Sequence, residues 1–265
     1  MRHEPSRKSS MSAVPCAERP LDVVVLPPHA AAEVIVDEIA ALAREACAGA
    51  RALVVGLATG KTPIPIYEAW VRRARTNADL RCFVGFNLDE YLGLDGADPR
   101  SCAGYLETHL GGPLGLDAGQ IRVPDRRDPE AYERAIDDAG GIDLQILGIG
   151  RNGHIGFNEP GSARASRTRV VDLAATTRED AAAGFGALER VPLRGVTMGI
   201  ATILAAGRVR LVAFGAGKRG IVGALLRDGV HAALPASFVR THADARLFVD
   251  ADALGHANAP VRGTP

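Results

Sequence analysis

Several stretches of this chain are short, almost uninterrupted apolar runs, and segments with helical periodicity lie between them. The clearest runs are "RALVVGLATG" (51–60), "IDLQILGIG" (142–150) and "RVRLVAFG" (208–215). A strand with one face in water alternates apolar and polar residues, whereas a continuous apolar run indicates a strand covered on both faces. The pattern predicts an α/β fold, with a doubly wound, mostly parallel sheet and helices on both faces in a Rossmann-like three-layer sandwich.

Hydrophobic periodicity and end signals place the individual elements. Strands are predicted at 21–26, 51–60, 81–91, 142–150, 208–215 and 245–250, and helices at 29–49, 63–75, 128–141, about 197–206 and 218–229. Thr62 suits the N-cap of the second helix and Pro63 its first position. We expect one α/β catalytic domain over 21–255, with a lid around 161–190 where periodicity is weak. Residues 1–20 and 256–265 are expected to form flexible tails.

Charge and cysteine content exclude several classes of protein. Lys plus Arg and Asp plus Glu both number 31, so no net charge attracts nucleic acid or an anionic membrane. No 18-residue apolar span indicates a membrane helix, and the N-terminal segment lacks the apolar region of a secretory signal. The four cysteines form no C-x-x-C pair, which favours a reduced, cytoplasmic location. A small molecule is the expected partner, and homo-oligomerisation remains open.

The segment "GIGRNGHIGFNEPG" (148–161) contains three glycines in the G-x-G-x-x-G spacing of dinucleotide-binding loops. Asp172 even lies near the position of a ribose-binding carboxylate. In that motif, however, the third glycine leads into a long helix whose N-terminus binds the pyrophosphate. Gly156 and Pro160 interrupt any such helix here. We therefore favour a strand-end loop that presents His154, a side chain suited to proton transfer near neutral pH.

Polar groups follow four of the predicted strands at the points where the strands end. They lie at 59–62, 87–90, 151–154 and 215–218. Ligands of open parallel sheets bind outside the carboxyl ends of the strands, so all four groups can converge on one crevice. Their grouping favours a catalytic histidine over a loop histidine that is hydrogen-bonded for structural reasons alone.

Four segments resemble the characteristic motifs of glucosamine-6-phosphate deaminases, in the order and spacing of that family. They are "GLATGKTPIPIY" (56–67), "FNLDEYLGL" (86–94), "GIGRNGHIGFNEPGSARASRTR" (148–169) and "LPASFVRTH" (234–242). The resemblance covers about residues 21–250. Its sister family, the 6-phosphogluconolactonases, typically has "DGHTASLFP"-like residues where this chain has "NGHIGFNEP", so the match favours the deaminase branch.

The resemblance implies deamination and isomerisation of glucosamine 6-phosphate to fructose 6-phosphate and ammonia. Asp89 would be the general base that moves the proton at C2, and His154 would help to open the pyranose ring. Glu159 would hold and tune His154. Asn152, where some members have Asp, can orient its neighbours only by hydrogen bonds. Glu90 points to the opposite face of the strand from Asp89, and we expect it to be solvated or salt-bridged.

The resemblance also implies a phosphate site at the turn that opens the second helix, where unpaired amides and the helix dipole favour an anion. The implied residues are Thr59, Gly60, Lys61, Thr62 and Lys218. An ordinary N-cap turn is the alternative for the first four. The family's lid arginine falls on Ala183 here, a loss of about 1.5–3 kcal/mol unless another cation compensates. Arg178, Arg164 and Lys61 are candidates for that compensation.

Three alternative functions therefore remain open. They are lactone hydrolysis as in the sister family, deamination of a different amino sugar, and sugar-phosphate sensing without catalysis. The acid–base set of Asp89, His154 and Glu159 argues against a sensor. No cofactor is expected, because proton transfers along the sugar suffice, and no metal, because His154 has no second His or Cys at ligand spacing.

Overall fold

A computed structural model of the chain describes residues 18–255 and contains a central sheet of seven strands. Its strands are β1 (Asp22–Val25), β2 (Leu53–Leu57), β3 (Phe83–Asn87), β5 (Ile121–Arg122), β6 (Leu144–Gly148), β9 (Val209–Ala213) and β10 (Ala245–Val249). Every neighbouring pair in this sheet is parallel, in the order β1-β10-β9-β6-β2-β3-β5. The three apolar runs correspond to β2, β6 and β9, and all residues of β2 and β9 are buried. The predicted parallel α/β fold is confirmed.

Nine α-helical segments lie in the described part of the chain and flank the sheet. They are α1 (Pro28–Ala48), α2 (Ile64–Arg73), α3 (Cys102–Leu106), α4 (Gly112–Leu114), α5 (Pro129–Asp138), α6 (Ala175–Phe185), α7 (Ile200–Leu204), α8 (Arg219–Arg227) and α9 (Ala251–Leu254). A π-helical turn at Glu107–Gly111 joins α3 to α4. None of the helices within residues 18–255 has the length and apolarity to cross a membrane. Except for residues 18–20, which are exposed, the predicted tails lie outside the described residues.

The topological switch point of the sheet lies between β2 and β6, which are neighbours at its centre. From β2 the chain adds β3 and β5 on one side, and from β6 it adds β9 and β10 on the other. The two loops that follow β2 and β6 therefore diverge and leave a crevice, the usual ligand position in an open parallel sheet. Two of the four polar strand-end groups, at 59–62 and 151–154, lie in these loops.

A second sheet was not predicted. It is antiparallel and has the order β4-β8-β7, formed by β4 (Asp89–Tyr91), β8 (Arg194–Thr197) and β7 (Arg169–Asp172). The prediction of one strand over 81–91 is wrong, because β3 ends at Asn87 and β4 begins at Asp89 in the other sheet. Leu88 between them is buried, and its amide donates to the carbonyl of Leu57 at 2.9 Å. The proposed lid region, 161–190, contains β7 and α6.

The helix that follows β2 begins one residue later than predicted. Pro63 is the N-cap of α2 and the helix starts at Ile64, so Thr62 does not cap it. Tyr67 holds the turn instead. Its buried hydroxyl donates to the carbonyl of Ala58 at 2.6 Å and accepts from the amide of the same residue at 3.1 Å. The first turn of α2 is thereby tied to the end of β2.

Candidate active site

Asp89 is the buried carboxylate of the site. It is only 5% exposed at the start of β4, opposite Thr197 of β8. Burial raises the pKa of Asp89 to about 7, and the negative charge of Glu90 adds to this effect. A hydrogen bond from the Cys102 thiol, whose Sγ lies 3.5 Å from Oδ1, acts in the opposite direction. A carboxyl group with a pKa near neutrality suits general-base chemistry.

The loop after β6 passes directly over this carboxylate. At Gly156, which has φ +54°, a Cβ atom would lie 3.3 Å from Oδ2 of Asp89 and 3.0 Å from Oγ1 of Thr197. Buried Asn158 fixes the loop, since its amide group donates to the carbonyls of Ile155 at 3.0 Å and Met198 at 2.8 Å. The fold thus brings the loop that carries the 151–154 group against the strand-end group at 87–90.

His154 lies in this loop with only 17% of its side chain exposed. Its Nδ1 atom is 2.8 Å from Oδ1 of Asn152 and 3.1 Å from Oγ1 of Thr177 on α6. Glu159 is farther from the ring, with Oε2 3.7 Å from Nδ1, and Asn152 donates to that oxygen at 2.9 Å. Asn152 therefore lies between the ring and the carboxylate and bonds to both. Glu159 also accepts from the amide of Ala174 at 3.1 Å.

The charge state of His154 follows from this environment. Burial lowers its pKa, the Glu159 carboxylate acts in the opposite direction, and the Lys218 ammonium lowers it further. Burial outweighs the carboxylate, so the neutral ring is favoured near neutral pH. Desolvation thus outweighs the tendency of the neighbouring Glu159 carboxylate to favour the protonated ring.

Glu90 has a structural role that differs from the expectation of a solvated or salt-bridged side chain. Its Oε1 accepts from the amide of Cys102 at 2.9 Å, and its Oε2 accepts from the amide of Ala103 at 2.9 Å. Both amides belong to the first turn of α3, where backbone donors have no partner within the helix. Glu90 therefore anchors α3 against β4 and brings Cys102 close to Asp89.

The predicted phosphate-binding residues lie at two strand ends beside this site. Gly60 adopts φ +94°, and its carbonyl accepts from the Tyr105 hydroxyl at 2.6 Å. The Thr59 hydroxyl lies 3.7 Å from Sγ of Cys102, while Lys61 is exposed. Lys218 reaches across from the end of β9, and its ammonium donates to the carbonyl of Ile149 at 2.7 Å. Burial lowers the pKa of Lys218.

The cations named as substitutes for the missing lid arginine differ in availability. Arg178 is already engaged, since its guanidinium donates to the carbonyls of Leu188 at 2.9 Å and Val191 at 3.2 Å. Arg164 is exposed and lies 3.4 Å from the Thr241 hydroxyl. Ala183 is exposed on α6. On the same helix, the Asp180 carboxylate pairs with Arg151 at 2.5 Å.

Sequence reasoning missed the contributions of Cys102, Thr176 and Thr177. The Thr176 hydroxyl accepts from the side-chain amide of Asn152 at 3.0 Å, next to the bond that Thr177 makes to the histidine ring. Both threonines stand in the first turn of α6, far along the chain from the loop that they contact. Their hydrogen bonds depend on how α6 packs, and no local sequence pattern carries that information. Within residues 18–255 no group of His, Cys, Asp and Glu side chains has the arrangement of a metal site.

Fold and site together define an α/β enzyme with a buried carboxylate, Asp89, and a largely buried histidine, His154, in segments that follow the strands of a parallel sheet. A family model described as "Glucosamine-6-phosphate isomerases/6-phosphogluconolactonase" matches residues 27–248. The chain belongs to this family, as the sequence resemblance predicted.

Relatives and solved structures agree with that assignment. A glucosamine-6-phosphate deaminase of Shewanella loihica is 45% identical over 204 residues, which are 74% of this chain and 76% of that protein. One from Cellvibrio japonicus is 44% identical over 204 residues, 74% of this chain and 78% of that protein. A solved monomeric glucosamine-6-phosphate deaminase is 33% identical, with a TM-score of 0.83 over 88% of this chain and 98% of its own. The Trypanosoma cruzi 6-phosphogluconolactonase, 16% identical with a TM-score of 0.73 over 91% of this chain and 98% of its own, shares the fold.

Proposed function

We propose that this enzyme converts D-glucosamine 6-phosphate and water to D-fructose 6-phosphate and ammonia, in the cytoplasm. The observation that carries the proposal is the buried Asp89 carboxylate, with a pKa of about 7, under the loop that carries His154. The relatives named glucosamine-6-phosphate deaminase support the choice of substrate.

Asp89 acts as the general base. In the open-chain aldose, C2 carries the amino group beside the C1 carbonyl, which acidifies the C2 proton. Asp89 removes that proton while the C1 oxygen gains one, which gives an enol-type intermediate. Protonation at C1 with loss of an N–H proton then leaves an imine at C2. Water adds to the imine carbon, ammonia departs, and the ketose phosphate remains. The net reaction consumes one water and needs no oxidant or reductant.

His154 opens the pyranose ring. With the Nδ1 proton directed at Asn152, the unprotonated Nε2 of the neutral ring takes the proton of the anomeric hydroxyl and delivers it to the ring oxygen. Asn152 and Glu159 keep the imidazole in this tautomer. The pKa of His154, lowered by burial, keeps Nε2 available as a base near neutral pH.

The phosphate group binds at the turn of Thr59, Gly60, Lys61 and Thr62, with Lys218 supplying a partly desolvated cation from the opposite loop. A charge-assisted bond to a phosphate oxygen is worth more at a half-buried ammonium than at an exposed one. Residues 161–190 form the lid of the single catalytic domain, and α6 in this segment already contacts the catalytic loop through Thr176 and Thr177.

Ammonia release from glucosamine 6-phosphate by the purified protein tests the proposal. We expect saturable release by the wild type and a fall in kcat of about 10²- to 10⁴-fold in Asp89→Asn, which removes the base. Asp138→Asn, at an exposed position on α5, is the matched control and should retain wild-type activity. Hydrolysis of 6-phosphogluconolactone without ammonia release, turnover of another amino sugar only, or sugar-phosphate binding without turnover would each overturn it.

A further inference from the structure

Cys102 contacts the proposed base, and no part of the mechanism above uses its side chain. It is 2% exposed at the first position of α3, and its Sγ lies 3.5 Å from Oδ1 of Asp89. An ionised carboxylate can only accept hydrogen bonds, so the thiol must be the donor in this contact. The Thr59 hydroxyl lies 3.7 Å from the same sulfur and donates to it.

The thiol has the wrong environment for a nucleophile. Burial raises the pKa of Cys102 well above its ordinary value, and the neighbouring Asp89 and Glu90 charges act in the same direction. The sulfur therefore keeps its proton at neutral pH. A neutral S–H group that faces a carboxylate is a hydrogen-bond donor and contributes no reactivity of its own.

The contact also distinguishes the two carboxylate oxygens of Asp89. Oδ1 faces the thiol, whereas Oδ2 faces the loop at Gly156, where a Cβ would approach within 3.3 Å. Oδ2 has no hydrogen-bond donor among residues 18–255. It is therefore the carboxylate oxygen that is free of protein donors and available to receive a proton from the substrate.

We propose that Cys102 is a positioning residue, whose thiol holds Oδ1 of Asp89 so that Oδ2 faces the substrate, and which joins the base to Thr59 of the phosphate turn. This inference rests on the proposed function, because it assigns the thiol a part in the same proton abstraction. Glu90 helps to hold Cys102 in this position, because its carboxylate accepts a hydrogen bond from the backbone amide of Cys102.

Other titratable groups face Asp89 and must be separated from the thiol. Glu90 neighbours it on β4, and the phenols of Tyr67, Tyr91 and Tyr132 approach from α2, β4 and α5. Burial raises the pKa of all three phenols, so they stay neutral through the pH range of an assay. Substitution of Cys102 leaves all four groups in place, and the substrate's own titrations are the same for every variant.

The test is the pH profile of kcat/KM for ammonia release by wild type, Cys102→Ala and Cys102→Ser. Loss of the donor disfavours the ionised base, so the acidic limb of Cys102→Ala should move up by about half a pH unit or more, a threefold change in proton concentration. Cys102→Ser keeps an O–H donor and should leave the limb at or below its wild-type position. The exposed Cys82 provides the matched control, and Cys82→Ala should leave the profile unchanged.

Equal losses in Cys102→Ala and Cys102→Ser at every pH, with an unmoved acidic limb, would show a packing role only and overturn the proposal. A second measurement needs no turnover. The fall in unfolding free energy between pH 4 and 8 should be steeper in Cys102→Ala than in wild type, and this difference should vanish in an Asp89→Asn background. If the wild type releases no ammonia but this stability difference appears, the proposed function fails while the thiol–carboxylate contact stands. Equal slopes would refute the contact.

Discussion

Asn152 contacts His154 through its side-chain oxygen, which lies 2.8 Å from Nδ1 of the ring. The nitrogen of the same side-chain amide donates to Oε2 of Glu159 at 2.9 Å. Because a carboxylate can only accept, the amide nitrogen must face Glu159 and the oxygen must face the ring. Nδ1 therefore carries the hydrogen, and Nε2 is the acceptor in the neutral imidazole. A side chain without charge thus sets the tautomer that the proposed ring opening requires.

The first prediction concerns this amide. Asn152→Ala removes the side-chain hydrogen bonds to His154, Glu159 and Thr176. Only Thr177 then remains beside Nδ1, and the other tautomer of the ring becomes accessible. Loss of a buried hydrogen bond of about 1–3 kcal/mol corresponds to a fall in kcat of about 5- to 150-fold. Asn152→Asp keeps an oxygen towards Nδ1 but places a second negative charge near the ring, so the pKa of His154 should rise above that of the wild type. Steady-state kinetics and NMR titration of the imidazole measure the two effects. An unchanged kcat in Asn152→Ala would contradict the assigned tautomer role.

The second prediction concerns the glycines of the motif around 148–153. A Cβ added at Gly150 would lie 2.1 Å from Cε1 of His154, whereas one added at Gly148 would meet nothing within 4 Å. Gly150→Ala must therefore displace the imidazole, and a shift of about 1 Å lowers kcat by about 100-fold. Gly148→Ala, two residues earlier in the same motif, is the matched control and should keep kcat within about twofold of wild type. Similar kcat values for the two variants would exclude this steric role.

These glycines also show why the fold was easier to predict than the site. The buried residues of β2 and β9 identify the parallel sheet in the sequence, because a strand with both faces covered has few polar positions. His154 and Glu159 are close together in the chain, so their association could be inferred locally. The G-x-G-x-x-G spacing matches dinucleotide loops, but Gly150 makes room for a histidine ring.

Other features depend on packing between distant segments. β7 has only four residues, too few for alternation to identify the second sheet. Glu90 bonds to amides 12 and 13 residues away, and Thr177 meets a ring 23 residues away. Neither contact leaves a periodic pattern in the sequence. The position of Cys102 beside Asp89 follows from the attachment of α3 to β4, which became visible only in three dimensions.

The third prediction is a pH dependence of stability that comes from Asp89. Its pKa rises from 3.8 to about 7 in the folded state, so between pH 4 and 7 the folded protein binds more protons than the unfolded chain. Stability is then lost as the pH rises through this window, by at most about 4 kcal/mol. In Asp89→Asn this contribution is absent, and the variant should gain in relative stability as the pH increases. Urea unfolding of both proteins at several pH values measures the difference, and parallel curves would contradict it.

The fourth prediction separates the two lysines of the phosphate site. Lys218 is half-buried against the carbonyl of Ile149, whereas Lys61 is exposed. Lys218→Met should raise KM for glucosamine 6-phosphate by about 10- to 100-fold, the value of one charge-assisted hydrogen bond, with a smaller change in kcat. Lys61→Met should raise KM less than about fivefold, because solvent and salt screen an exposed charge. Inhibition by inorganic phosphate should weaken more in Lys218→Met than in Lys61→Met. The opposite result would mean that the phosphate binds nearer to Lys61.

The last prediction concerns Glu133 of α5, which ties three segments together away from the reacting groups. Its Oε1 accepts from the amide and hydroxyl of Thr168 at 2.7 and 2.5 Å and from the Thr202 hydroxyl at 2.6 Å. The other oxygen pairs with Arg167 at 2.9 Å. Glu133→Ala leaves the buried donors of Thr168 and Thr202 without a partner and should lower the free energy of unfolding by about 2–3 kcal/mol. Glu130→Ala, on the same helix with 91% of its side chain exposed, should change it by less than about 0.5 kcal/mol. Denaturant unfolding distinguishes them, and equal stabilities would mean that water replaces the carboxylate in joining α5 to Thr168 and Thr202.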